Sequence, residues 1–172
     1  SGGKIRDRVH DPELTDLGIR QADLLADHLA NRHDNPVHLG GGYGITHLYC
    51  SAMIRAMQTS QPVAAALGLQ PTVWLDIHEI GGIFLEKREN GESKTVGLPG
   101  LTRSQMQDRF PGYLLPDGVT DAGWWDMPDG RETPAQFLSR ALRVALSLKE
   151  RAHTDEHIAL VVHGAFMDAV IK

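Results

Sequence analysis

The chain has 172 residues, 41% of them apolar and 23% charged, and its 17 basic and 22 acidic side chains give a formal charge of −5. That length suits one domain, able to bury roughly 70% of its unfolded surface. The acidic balance argues against a broad nucleic-acid-binding face, and no apolar run reaches membrane-spanning length. A single cysteine, Cys50, excludes an intrachain disulfide framework and suits a reducing compartment, so the expected location is cytoplasmic.

Residues 1–13 read as a polar loop, and both ends look cut. The chain opens Ser1-Gly2-Gly3 with neither methionine nor signal peptide, and it stops inside an apolar pattern at Val170-Ile171-Lys172. The expectation is one domain over 1–172, incompletely represented at both ends. Thr15 is placed to cap a helix running to Asn31, with Ile19, Ala22, Leu25, Ala26 and Leu29 on one apolar stripe. His28 and His33 lie five apart, which is not the i, i+4 spacing of a helical metal site. Residues 35–44 form a glycine-rich connection. Gly40-Gly41-Gly42 precede a strand rather than follow one, so they do not make a nucleotide-binding turn.

Residues 45–50 predict a buried strand. Ser51 can cap the helix that follows, Pro62 should bend it, and Gly68 should stop it. Arg55 falls in or near the first turn, where unpaired N–H groups and the helix dipole favour an anion and a guanidinium adds a fork that fits phosphate. Residues 72–75 suggest a short strand leading into the turn Asp76-Ile77-His78-Glu79-Ile80-Gly81-Gly82. Residues 86–95 are polar and should be exposed. Thr102-Arg103-Ser104-Gln105 is a capping box, with Leu101 and Met106 as its staple, opening a short helix that ends near Phe110. Residues 111–131 look irregular, with Trp124 and Trp125 covering a core. Thr133-Pro134-Ala135-Gln136 opens a helix to Arg151 that turns Phe137, Ala141, Val144 and Leu148 inward. An apolar strand over 158–162 ends at His163-Gly164 and is followed by a last helix.

Strands alternating with helices predict an α/β fold: three layers, αβα, around a mostly parallel sheet with helices on both faces. Residues 83–131, poor in regular structure, read as a lid or substrate-selecting insertion. Ligands of such sheets bind beyond the C-terminal strand ends. Arg55 and His163 follow two of those ends, and Glu79 follows a third candidate. Arginine can hold a phosphate, histidine can share its charge, and a carboxylic acid can protonate the leaving oxygen. Each has a plainer alternative: a surface arginine, a buried histidine satisfied by backbone, a turn glutamate facing water. His78 reads as surface. Histidines 10, 28, 33, 38, 47, 153 and 157 are scattered and form no metal set with Cys50, so neither metal nor cofactor is expected. Four residues without a glycine separate Cys50 from Arg55, one short of the cysteine-phosphatase loop, and there is no Gly-x-Ser-x-Gly elbow or Walker loop.

Five segments, in order, resemble the histidine phosphatase superfamily, also called phosphoglycerate-mutase-like. Leu14-Thr15-Asp16-Leu17-Gly18-Ile19-Arg20-Gln21-Ala22 is similar to its Leu-Thr-x-x-Gly-x-x-Gln-Ala helix start. Ser51-Ala52-Met53-Ile54-Arg55-Ala56-Met57-Gln58-Thr59 is similar to its Ser-x-x-x-Arg-Ala-x-Gln-Thr signature. Glu79 with its glycine-containing turn, Gly130-Arg131-Glu132-Thr133, and Val161-Val162-His163-Gly164 match three later segments. The resemblance implies that Arg55 binds the transferred phosphoryl group, His163 is the second active-site histidine, and Glu79 is the general acid and base. Glu132 matches less well, because Arg131 intervenes where the family has Gly-Glu-Ser.

The family nucleophile, the histidine of an Arg-His-Gly or Arg-His-Ala string, has no match in the 172 residues; Arg8-Val9-His10 is the nearest string, with no apolar strand before it. Either that strand lies outside this sequence or the protein is a non-catalytic relative. The expected function is a metal-independent phosphomonoester hydrolase working through a phosphohistidine. The alternatives are a non-catalytic binder of a phosphorylated ligand or partner, a phosphoglycerate mutase, and, more distantly, a cysteine phosphatase. Against a mutase, Ile80 follows Glu79 where mutases of this type carry arginine, and residues 83–131 contain no adjacent arginines. The expected partner is a small-molecule phosphate ester, not nucleic acid or membrane, with a homodimer left open.

Overall fold

The computed structural model describes residues 9–30, 43–89, 92–127 and 129–172. The opening Ser1-Gly2-Gly3, the glycines at 40–42, and His33 and His38 lie outside the described residues. The described elements are α1 (Asp16–Ala30), β1 (His47–Cys50), α2 (Ile54–Leu67), β2 (Thr72–Val73), a 3-10 turn (Leu75–Ile77), β3 (Phe84–Glu89), β4 (Glu92–Gly97), α3 (Arg103–Arg109), α4 (Pro134–Arg151), β5 (Ile158–Val161) and α5 (Gly164–Ile171).

The main sheet has the order β2-β1-β5, with both pairings parallel. The register runs from His47 opposite Ile158 to Cys50 opposite Val161, and Cys50 also faces Val73. Alternation along the strands divides the core between two layers of helices. Leu48 packs with Ala26, Val63, Ala64, Ala159 and Val161 on the α1 and α2 side. Tyr49 and Leu160 pack with Phe137, Ala141, Val144 and Phe166 on the α4 and α5 side. A third cluster joins Cys50, Met53, Met57 and Val73 to Met106, Phe110, Val119, Trp124 and Trp125 beyond the strand ends. The α/β class with a parallel sheet flanked by helices is therefore as read from the sequence. Among the described residues no helix is long and apolar enough to cross a membrane.

Several local expectations are corrected. Ser51 does not cap α2. The N-cap is Met53, with no side-chain cap bond, and the Ile54 N–H donates to both Asp11 carboxylate oxygens at 3.2 Å. A carboxylate from a distant loop thus takes the orphan donor that a local cap would otherwise satisfy. The α1 stripe is narrower than its spacing suggests. Ala22 and Ala26 are buried, but Ile19 and Leu25 stay 46% and 39% exposed, because it is the alanines that α1 turns inward. Within 83–131, Phe84–Glu89 and Glu92–Gly97 pair antiparallel, Phe84 opposite Gly97 down to Glu89 opposite Glu92, with polar residues that conceal a two-residue period. With α3, that strand pair gives the 83–131 segment more regular structure than its composition indicates.

Candidate active site

Ser51 follows β1, and its N–H donates to the Val161 carbonyl at 3.1 Å, so the chain leaves the sheet beside the end of β5. Three residues later α2 begins, with Arg55 as its second residue. His163 follows β5 and serves as the N-cap residue of α5, its carbonyl accepting the Met167 N–H at 2.9 Å. Parallel pairing therefore brings Arg55 and His163 to the same sheet end, where Arg55 Nη2 lies 3.1 Å from His163 Nδ1.

A guanidinium only donates, so Nδ1 holds the lone pair and the neutral ring carries its proton on Nε2. That Nε2 is buried and has no hydrogen-bond partner among the described residues. His163 is 7% exposed. Its burial, followed by the positive charge of Arg55, pushes its pKa down to about 3. An unpaired buried donor is costly unless something accepts from it, and an anion beside it would relieve both that cost and the depressed basicity. Asp11 sits on the other side of Arg55, Oδ1 to Nη1 4.0 Å, with its side chain only 2% exposed. Burial raises its pKa despite the Ile54 N–H and Arg55, which act in the opposite direction. Asp11 carried no local signal, because the N–H it accepts lies 43 positions away.

Glu79 lines a cavity of about 660 Å³ together with His10, Arg55 and Arg131. Its Oε1 accepts its neighbour's N–H, that of Ile80, at 3.0 Å. The turn that carries it is held from beneath. Arg140 Nε and Nη2 donate to Glu132 at 2.8 and 2.7 Å, and Nη1 donates to the carbonyls of Asp76 and His78 at 2.8 and 2.9 Å. Glu132 in turn accepts the Gly81 N–H at 3.4 Å. Burial alone would raise the Glu132 pKa, but the Arg140 hydrogen bonds and charge outweigh it and hold the carboxyl below its ordinary value. Glu132, the weaker family match, thus supports the turn from a buried position.

The expectation that His78 is a surface residue is wrong. It is 6% exposed, because it directly follows the buried Ile77 at the end of the 3-10 turn. Nδ1 donates to the Leu75 carbonyl at 2.6 Å, the ring lies 5.6 and 5.0 Å from Trp124 and Trp125, and Nε2 is 3.9 Å from Glu132. Burial, then the charge of Arg140, lowers its pKa to about 4. The two tryptophans are core residues, as their sequence context suggests. A larger cavity of about 830 Å³ runs beside them, between β4 and the 118–130 segment, but none of Arg55, Glu79 or His163 lines it. Cys50 is fully buried and its thiol is pushed up to about 12, which leaves it as strand packing rather than a nucleophile.

Arginine and histidine meeting at the ends of neighbouring strands of a parallel sheet place the chain among the α/β proteins. Within that class the chain belongs to the histidine phosphatase superfamily (branch 1), whose profile matches residues 2–172. Among curated proteins, a probable phosphoglycerate mutase, GpmB, of Yersinia pestis is 31% identical over 121 residues, which make up 66% of this chain and 47% of that protein. The chain thus spans about half the length of the curated relatives it matches. Among solved structures, the ecdysone phosphate phosphatase of Bombix mori superposes with a TM-score of 0.60 at 17% identity, covering 94% of this chain and 56% of that one. A mycobacterial glucosyl-3-phosphoglycerate phosphatase with inorganic phosphate gives 0.51 at 21% identity, covering 96% and 72%. At these identities the structural matches establish the fold.

Proposed function

We propose that the chain forms the phosphoryl-binding and acid–base portion of a metal-independent phosphomonoester hydrolase. The observation that carries this reading is the Arg55–His163 pair with its unpartnered Nε2 donor, on a cavity edge that Arg55 shares with Glu79. Arg55 and His163 hold the phosphoryl oxygens, and Glu79 protonates the leaving oxygen and then deprotonates water. The nucleophile is a histidine, and the intermediate a phosphohistidine. Among the described residues β5 pairs on one side only, with β1, and its side chains are half-buried. A parallel strand is stable when buried, so the free edge of β5 is where a strand bearing that histidine belongs.

Hydrolysis is favoured over mutase chemistry because Ile80 follows Glu79 and no adjacent arginines stand in 83–131. On this reading the protein works in the cytoplasm as one domain, residues 83–131 select the substrate, and its partner is a small phosphate ester. The full-length protein that contains this chain should hydrolyse an aryl phosphate in excess chelator and yield an acid-labile phosphohistidine. His163→Ala should lower kcat/KM by about 10²-fold or more, the usual loss for one donor to a developing charge. Undiminished activity in His163→Ala overturns the assignment.

A further inference from the structure

We propose that the cavity beside Arg55 selects phosphomonoesters whose alcohol carries an apolar ring, and that Phe84 is the side chain that reads the ring. The inference rests on the phosphoryl-binding reading of Arg55 and adds the substrate class. Arg55 and Glu79 occupy the polar part of the cavity, and Val9, Ile80, Phe84 and Pro134 make an apolar wall on the same space. Val9 and Ile80 are 61% and 41% exposed, so large apolar side chains stand in water where a ligand body can cover them.

Phe84 is fixed in place before any ligand arrives. Gly81 has φ +85°, and a Cβ added there would lie 2.7 Å from Phe84 Cε1, so the ring packs directly against the turn that carries Glu79. Arg131 brings its guanidinium carbon to 5.3 Å from the Phe84 ring centroid. A planar guanidinium on an aromatic ring makes a surface on which a second ring stacks well, and a preorganised surface loses little freedom on binding.

The charges on this wall do not suit a phosphorylated acid. Glu132 is neutralised by Arg140, and Glu79 and Arg131 carry opposite signs. Arg131 also faces Glu86 at 3.7 Å. With Arg55 committed to the phosphoryl group, the described residues of this wall other than His10 offer no surplus positive charge for a carboxylate.

Calorimetric titration of the full-length protein that contains this chain with benzylphosphonate, methylphosphonate and 3-phosphoglycerate tests the proposal through binding rather than turnover. Benzylphosphonate should bind about tenfold or more tightly than methylphosphonate, the gain a partly buried ring provides, and 3-phosphoglycerate should bind no better than methylphosphonate. Phe84→Ala should reduce the benzyl-to-methyl ratio to below about threefold. Ile80→Gln, an exposed change on the same wall that does not threaten folding, should reduce it in the same direction. A ratio that survives both substitutions, or 3-phosphoglycerate as the tightest ligand, overturns the substrate class. Arg55→Ala separates the two readings: it should weaken all three ligands together. Unaltered affinities in that variant with an intact, Phe84-dependent ratio would remove the phosphoryl-site reading and leave the ring pocket standing.

Discussion

At the scale of single residues, the geometry of the Glu79 turn depends on Arg140. Its side chain is 4% exposed, and its guanidinium is committed to Glu132 and to the carbonyls of Asp76 and His78. Its carbon also lies 5.4 and 5.1 Å from the rings of Phe137 and Phe166. A buried ion pair is expensive to form, and removing one partner leaves the other charged and unsolvated. Arg140→Met should therefore cost roughly 3–5 kcal/mol in urea unfolding. Adding Glu132→Gln to that background should cost less than it does alone, a coupling of about 1 kcal/mol or more. Strictly additive losses would show that the two side chains do not act as a pair. This arrangement also marks a limit of sequence reading. Arg55 and His163 stand out because each follows a strand, and Glu79 because it opens a glycine-containing turn. Arg140 bonds the His78 carbonyl 62 positions away and Asp11 caps a helix 43 positions on, and no local pattern signals either.

At the scale of elements, the turn from Glu79 to Gly82 is shaped by what surrounds its glycines. Gly82 has φ +72°, and a Cβ there would lie 2.2 Å from the Trp125 ring. Gly68, the C-cap residue of α2, has nearly the same φ, +66°, with nothing within 4 Å of a Cβ. The pair separates backbone strain from packing. Gly68→Ala should cost only the left-handed strain, about 1–2 kcal/mol, whereas Gly82→Ala adds an overpacking clash of roughly 1–3 kcal/mol. Equal losses by chemical denaturation would mean that Trp125 yields freely. The sequence marks both glycines as breakers but does not reveal which is packed. The same distinction accounts for what else was readable. The capping boxes at Thr102 and Thr133 and the inward face of α4 follow from local spacing and appear as read. The β3–β4 hairpin does not, because lysine faces lysine at Lys87 and Lys94, a pairing that residue type disfavours.

At the scale of the whole molecule, two buried histidines should make the fold acid-sensitive. His78 and His163 have an ordinary value of 6.5 and are lowered to about 4 and about 3 in the folded state. Below pH 6.5 the unfolded chain therefore binds protons that the folded chain refuses, and stability falls as pH drops from there toward the folded values. Asp76 and Glu132 favour the charged form of His78 but do not overcome burial and Arg140; Arg55 opposes the charged form of His163 directly. Glu132, with its lowered pKa, withdraws stability further below its ordinary 4.5. Asp11, with its raised pKa, acts the other way, but only upward from its ordinary 3.8, where the histidines already dominate. At pH 5 each histidine should cost on the order of 2 kcal/mol relative to pH 7.5. For a chain of this size that sum lowers the melting temperature by roughly 8–16 °C. His78→Asn removes one of the two titrations, so the slope of melting temperature against pH between 7.5 and 5 should fall to about half, whatever the substitution does to stability at pH 7.5. A slope unchanged by His78→Asn would place the acid response elsewhere. A flat profile in the parent protein would mean that water reaches both rings, and that the Nε2 of His163 is not the unpaired donor on which the proposed anion site depends.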